Sequence, residues 1–245
     1  MKRLNNIDLL KFICAVLVVF LHMGTPYQQY ILPLTRCAVP CFLIISGYFI
    51  FNADDAKFQA RLKKNIRKIF RVLVWSTLLF AVVKFMFAFK QHDFSFLSLK
   101  ALVKFVVLNE NPFGFHLWYI GYLPLLTFGG GILFSLTSLL ENGLLVELGL
   151  NATRDHYASS TFLAVSLFLF FLSARQVGQN VLSDLGEKDS LYIYILHPLF
   201  IMFFRTVNNR MPALWQDTYL YLSPIIILIA TILLSKTLRI LHIIK

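Results

Sequence analysis

The chain has 245 residues, 58% of them hydrophobic and only 14% charged, whereas a soluble domain carries about 25% charged residues. The apolar residues fall in runs too long and too numerous for one water-soluble core, which excludes a soluble enzyme or a soluble binding module. A net charge of +11 would suit nucleic acid, but the basic residues lie between apolar spans. Anionic lipid and the positive-inside bias account for them there, and no nucleic acid partner is implied.

The fold class is therefore all-α, a polytopic membrane helical bundle forming a single domain over residues 1–245. Lys2 and Arg3 precede an apolar run over 12–21, followed by His22-Met23-Gly24-Thr25-Pro26. No Ala-x-Ala-like cleavage site occurs there, so an uncleaved first span over 7–23 is expected. Further spans are expected at 32–51, 69–89, 115–136, 157–174, 191–207 and 219–235, each near the length a bilayer requires. Segment 94–108 is weaker. Its Lys100 and Lys104 lie one turn apart, which suits a helix on the membrane surface. The total is seven or eight crossings.

After the second span, Lys57, Arg61, Lys64, Lys68 and Arg71 form a stripe on one helix face, with Lys63 and Arg67 beside it. This predicts a juxtamembrane helix resting on anionic headgroups and a cytoplasmic N-terminus in the inner (plasma) membrane. Lys236, Arg239 and Lys245 favour a C-terminus on the same side, which needs an even number of crossings. Seven strong spans give an odd one. Either a weak segment crosses, or the region over 129–156, with Gly129-Gly130-Gly131 and Glu141, Glu147, Arg154 and Asp155, is not ordinary.

Ionisable groups inside membrane segments are costly and mark functional sites by default. The first span carries Asp8, Lys11 and His22. Lys11 and His22 are eleven residues apart, about three turns, so they share nearly one face with roughly 16 Å between them along the axis. Asp8 either pairs with Lys11 one turn away or caps the helix start. Arg36 opens the second span at a depth matching His22, and the two are expected to face one shared cavity. Ser46-Gly47 lacks the Gly-x-Ser-x-Gly pattern of a nucleophile elbow and reads as close helix packing or a backbone bend. His116 with Trp118 and Tyr119 either lines a site or belongs to an interfacial aromatic belt. His197-Pro198 reads as a structural break, because Pro198 removes a backbone donor. Cys14, Cys37 and Cys41 read as small buried hydrophobes, and no metal ligand set is assigned.

Four ordered blocks carry a resemblance. They are Ile7-Asp8-Leu9-Leu10-Lys11 with Val18-Val19-Phe20-Leu21-His22, then Val39-Pro40 to Ile45-Ser46-Gly47-Tyr48-Phe49, then His116-Leu117-Trp118-Tyr119, and last Ser190-Leu191-Tyr192-Ile193-Tyr194-Ile195-Leu196-His197-Pro198. The set resembles the acyltransferase 3 family, integral membrane acyltransferases that modify bacterial surface glycans and other acceptors. The resemblance implies His22 as the catalytic residue, with Lys11 where many members carry Arg, and Arg36 in the family's basic position. Lys11, Arg36, His116 and Trp118 are then expected to bind donor or substrate, and Asp8, Ser46, Gly47 and Pro198 to be structural. No bound cofactor is implied. The donor is acetyl-CoA or another acyl-CoA, and the acceptor a glycan or lipid-linked sugar.

The chain departs from the family pattern at two places. Leu123 stands where some members have Glu, and the family normally has roughly ten helices, so an internal deletion around 129–156 is expected. Acyl transfer to a hydroxyl needs a base and an oxyanion stabiliser. Histidine suits the first role, and Arg36 or Lys11 the second or the donor phosphates. The alternative is a non-catalytic or degenerate membrane component or carrier of a glycan pathway, whose polar helix faces would line a substrate path.

Overall fold

The computed structural model describes residues 3–26, 31, 34–101, 103, 112–113 and 158–241. The expected span at 115–136 and the region over 129–156 lie outside the described residues. Within them every regular element is helical: α1 (Asn5–His22), α2 (Ala38–Ile50), α3 (Asp55–Gln91), a 3-10 turn (Ser95–Leu97), α4 (Ala158–Ser173), α5 (Val181–Lys188), α6 (Ser190–Asn208) and α7 (Ala213–Ile240). Among the described residues α1, α3, α6 and the stretch Trp215–Ile240 of α7 are long and apolar enough to cross a membrane. Ala38–Ile50 and Leu163–Ser173 are shorter apolar helices. The architecture is an all-α membrane bundle.

Helix α7 shows why lipid is the solvent. Ser223, Ile227, Thr231 and Ser235 recur every four residues and are each at most 1% exposed, while Ile225, Ile229 and Leu233 are each more than 50% exposed. Small and polar side chains face the bundle and bulky apolar ones face outward, the arrangement expected when the surroundings are as apolar as leucine. The Ser223 and Thr231 hydroxyls are satisfied within the helix, Thr231 Oγ1 donating to Ile227 O at 2.7 Å.

The chain divides into two compact units, residues 1–45 with 135–245, and residues 46–134. In the first, the start of α1 is bound to the segment between α4 and α6. Asn6 Nδ2 donates to Ala174 O and Arg175 O at 3.1 and 3.2 Å, and Asn6 Oδ1 accepts from Val177 N at 2.9 Å. A Cβ on Gly186 would collide with the Asp8 carbonyl and lie 3.1 Å from Phe12 N, so only glycine admits this backbone approach of α5 to α1. Three residues on, buried Asp189 accepts from Ser235 Oγ at 2.6 Å and pairs with Arg239. The start of α1, the end of α4, the start of α6 and the end of α7 thus lie at one end of this unit. Helices α1 and α6 run one way, α4 and α7 the other. The beginning of α1 and the end of α7, with Lys236 and Arg239, lie at the same end of this unit.

The second unit is dominated by α3, whose 37 residues span roughly 55 Å at 1.5 Å per residue. Asp54 caps it, accepting from Lys57 N at 3.2 Å and pairing with Lys57 Nζ at 3.0 Å. His92 closes it in the left-handed region at φ 53 and donates its N–H to Ala88 O. Trp75, Val82, Met86 and Phe89 are each at least 60% exposed in the apolar half. The basic stripe from Lys57 to Arg71 is not a separate helix. It forms the first turns of the same continuous helix as the apolar span, because no Gly or Pro interrupts 55–91. After the 3-10 turn, helix resumes at Leu99, where Ser98 Oγ accepts from Ala101 N at 3.3 Å.

Three other sequence expectations change. The second span does not run as one regular helix over 32–51: Leu34 and Thr35 are helical, Arg36 and Cys37 form a turn, and α2 begins at Ala38. Pro40 has no N–H for the Arg36 carbonyl and its ring would clash there, so Arg36-Cys37 form a turn and the ladder starts with Cys41 N on Cys37 O at 3.0 Å. Pro198, expected to break its span, lies inside a helix that continues from Ser190 to Asn208. One missing donor is tolerated where neighbouring helices and side chains re-satisfy the backbone. Helix α5 was not anticipated, since eight residues are too few for a clear periodic signal. Its capping box is explicit in the structure: Asn180 Oδ1 accepts from Ser183 N while Ser183 Oγ accepts from Asn180 N.

Two outcomes test this account. Replacing Gly186 by Ala should lower the melting temperature of the detergent-solubilised protein by an overpacking cost of about 1–3 kcal/mol. Gly178→Ala, where a Cβ meets nothing within 4 Å, should change it little. Equal melting temperatures for all three proteins would contradict the close approach of α5 and α1. The second outcome concerns pH. The hydrogen bond from Arg3, then that from Gln179, hold the Asp184 carboxyl below the usual carboxylate range. Because the folded value is lowered, the contribution is complete above the ordinary carboxylate value and is lost as pH falls through the lowered one. Asp184→Asn should therefore melt lower at neutral pH and lose less on acidification than wild type. An unchanged melting profile would show that this pairing does not stabilise the fold.

Candidate functional site

Helix α1 carries two distinct polar centres, one at each end. At its start, buried Asp8 accepts from Lys11 Nζ at 2.8 Å and from Arg3 Nε at 3.2 Å. Arg3 Nη2 in turn reaches Asp184 Oδ1 at 2.7 Å and Glu187 Oε2 at 3.2 Å on α5. Asp8 thus pairs with Lys11 at i,i+3, as the spacing allowed. It does not cap the helix: Leu4 is the cap residue and makes no side-chain cap hydrogen bond. Lys11 is held in an ion network that also fastens α1 to α5.

At the other end, His22 is the last residue of α1 and half-buried. Its ring stacks on that of His197 from α6, with centroids 5.2 Å apart and planes inclined by 21°. His197 is completely buried, and its Nδ1 lies 3.0 Å from Ile193 O. Tyr194, one turn earlier on the same face of α6, meets the His197 ring edge-on at 6.2 Å and 61°. Beneath the pair lies an apolar cluster of Ala15, Val19, Met23, Ile193 and Ile227, with Phe42 and Phe200 against it. Imidazole is the side chain best suited to take up and return a proton near neutrality, which fits general-base chemistry.

The depth of this pair follows from the backbone contact at Gly186. Ten residues separate Phe12 from His22 and eleven separate Gly186 from His197. At about 1.5 Å per residue, two parallel helical paths of nearly equal length lead from that contact to the two imidazoles.

Arg36 is half-buried in the turn before α2, between buried Thr35 and Cys37. Ser46 is half-buried near the end of α2. Gly47 is exposed there, and among the described residues a Cβ on it would meet nothing within 4 Å. Among the described residues no neighbour demands a glycine there. Pro198 follows His197 inside α6. His116 and Trp118 lie outside the described residues. Cys14, Cys37 and Cys41 are buried free thiols, with Cys41 Sγ 3.7 Å from Ala164 O. Among the described residues no group of three His, Cys, Asp or Glu side chains is placed to hold a metal ion.

The residue that sequence reasoning undervalued is His197. Its signal was present: an intramembrane histidine three residues after a tyrosine, so that both rings fall on one helix face. What spacing alone did not give is the partner, 175 positions away on α1. The Asp189–Arg239 and Arg3–Asp184 pairs were missed for the same reason.

Comparison with known proteins gives the family. The family model described as an acyltransferase domain, the acyltransferase 3 family, matches residues 4–140. A similar curated protein is an amino-acid racemase of Enterococcus faecalis, 29% identical over 128 residues. The match takes in 48% of this chain and 18% of that protein, so the chain spans far less than the full length of its relative. No solved structure matches. The family match covers more than half of the chain and includes the whole of α1 with Lys11 and His22, the Arg36 turn and the Ser46-Gly47-Tyr48 block; the chain is a membrane-embedded member of the acyltransferase 3 family.

Proposed function

We propose that the protein transfers an acyl group, most often acetyl, from acyl-CoA to a hydroxyl of a surface glycan or lipid-linked sugar, with His22 as general base. The observation that carries this reading is His22 itself, at the end of a family-matched membrane helix and stacked on a completely buried histidine. An imidazole in an apolar bundle is costly without a task, and proton transfer near neutrality is the task it performs best.

In the proposed reaction His22 takes the proton of the acceptor hydroxyl as its oxygen attacks the thioester carbonyl. The C–O bond forms, the carbonyl oxygen carries the negative charge, and collapse breaks the C–S bond. The CoA thiolate leaves with the proton returned from His22. A planar guanidinium suits the oxyanion or the donor phosphates, and Arg36 is the proposed source. Lys11, committed to Asp8, is proposed to meet the donor only by exchanging that partner.

The basic turns of α3 support a cytoplasmic placement of residues 57–71 and of the N-terminus in the inner membrane. In intact cells a Lys64→Cys variant should resist an impermeant thiol reagent and react after permeabilisation. Labelling from outside would reverse the orientation.

A second reading has its own observation. The matched segment is a minor part of a protein named for racemisation of amino acids, so the membrane module also occurs beside a different activity. Under that reading the bundle is a carrier or a non-catalytic component. With labelled acetyl-CoA and a panel of glycan acceptors, wild type should form acylated product, and His22→Ala should reduce its rate about 10²–10⁴-fold at equal abundance. Substrate uptake into vesicles without any acylated product would favour the carrier.

A further inference from the structure

We propose that His197 is a positioning residue for acyl transfer: its buried, doubly fixed ring sets the plane and aim of the His22 imidazole. This rests on the reading of His22 as the base.

The two histidines are held very differently. His22 ends its helix, next to a non-helical Met23-Gly24-Thr25 segment, and is half-buried. His197 sits in the interior of α6 and is completely buried. A carbonyl can only accept, so the 3.0 Å contact with Ile193 O makes Nδ1 the donor. That bond ties the ring to its own helix one turn back. The Tyr194 ring closes the edge at 6.2 Å, and His22 covers the face at 5.2 Å. The interplanar angle of 21° means that a rotation of His22 would lose the stacked contact.

Aim matters for this reaction. A base must reach the acceptor proton while the acceptor oxygen is aligned with the thioester carbonyl, and a displacement of about 1 Å can cost about 10²-fold in rate. A flat, immobile ring behind His22 supplies that constraint from a neighbouring helix without touching substrate.

The test uses the full-length protein in lipid nanodiscs with acetyl-CoA and an accepted glycan, on variants checked for insertion and monodispersity. His197→Leu keeps bulk and burial but removes the plane. It should lower kcat by about tenfold or more while KM for acetyl-CoA stays within about twofold, as expected for lost alignment rather than lost binding. His197→Phe restores a flat ring and should recover most of that kcat. The double variant His22→Ala/His197→Leu should be no slower than His22→Ala, because the second residue acts only through the first. Ring-labelled histidine NMR provides a readout independent of turnover: the His22 signals should shift in His197→Leu and largely return in His197→Phe. Wild-type kcat in His197→Leu together with a dead His22→Ala would overturn this inference alone. Wild-type turnover in His22→Ala would overturn the underlying reading, and the inference with it.

Discussion

The close backbone approach of α5 to α1 at Gly186 is the constraint on which the rest of the bundle depends. A glycine there lets the Asp8 carbonyl and the α5 backbone meet directly, and Arg3, Asp8, Lys11, Asp184 and Glu187 lock the contact with charge. Because α6 follows α5 after one residue, fixing α5 against α1 also fixes the register of α6. That register brings His197 level with His22. The ion network and the imidazole pair, at opposite ends of α1, are thus two consequences of one packing decision.

The same end of the bundle is fastened a second time through Asp189. Its carboxylate, 1% exposed, is shared by Ser235 and Arg239. Breaking a buried pair by removing one partner leaves an uncompensated charge, which is why such pairs specify one arrangement. Here the arrangement specified is α7 antiparallel to α6. With no hydrophobic drive between helices in lipid, small residues and polar contacts of this kind carry the association. The Ser223-Ile227-Thr231-Ser235 stripe is its sequence signature.

Much of this was legible in the sequence, and the illegible part has a common cause. Local features were readable: the apolar spans and the Asp8–Lys11 pair at helical spacing. Features that depend on residues far apart in sequence were not. His22–His197 and Arg3–Asp184 join positions separated by 175 and 181 residues, and no periodicity encodes such a partner. Proline misled in both directions. Pro40 shortened a helix expected to be long, because the Arg36 carbonyl lost its donor, whereas Pro198 did not end a helix expected to break. The difference is position: Pro40 lies in a first turn, where a helix can simply start later, and Pro198 lies between turns held on both sides by tertiary packing.

The central claim is that the His22–His197 pair marks the place where acyl transfer occurs. An experimental structure of the protein in a nanodisc with a non-hydrolysable acetyl-CoA analogue tests it most directly. The account predicts the two rings still stacked, with the analogue's acyl carbon close enough that an acceptor oxygen held by His22 could lie about 3–3.5 Å from it. An analogue bound with its acyl group beyond reach of His22, or the two histidines parted and facing lipid, would contradict it.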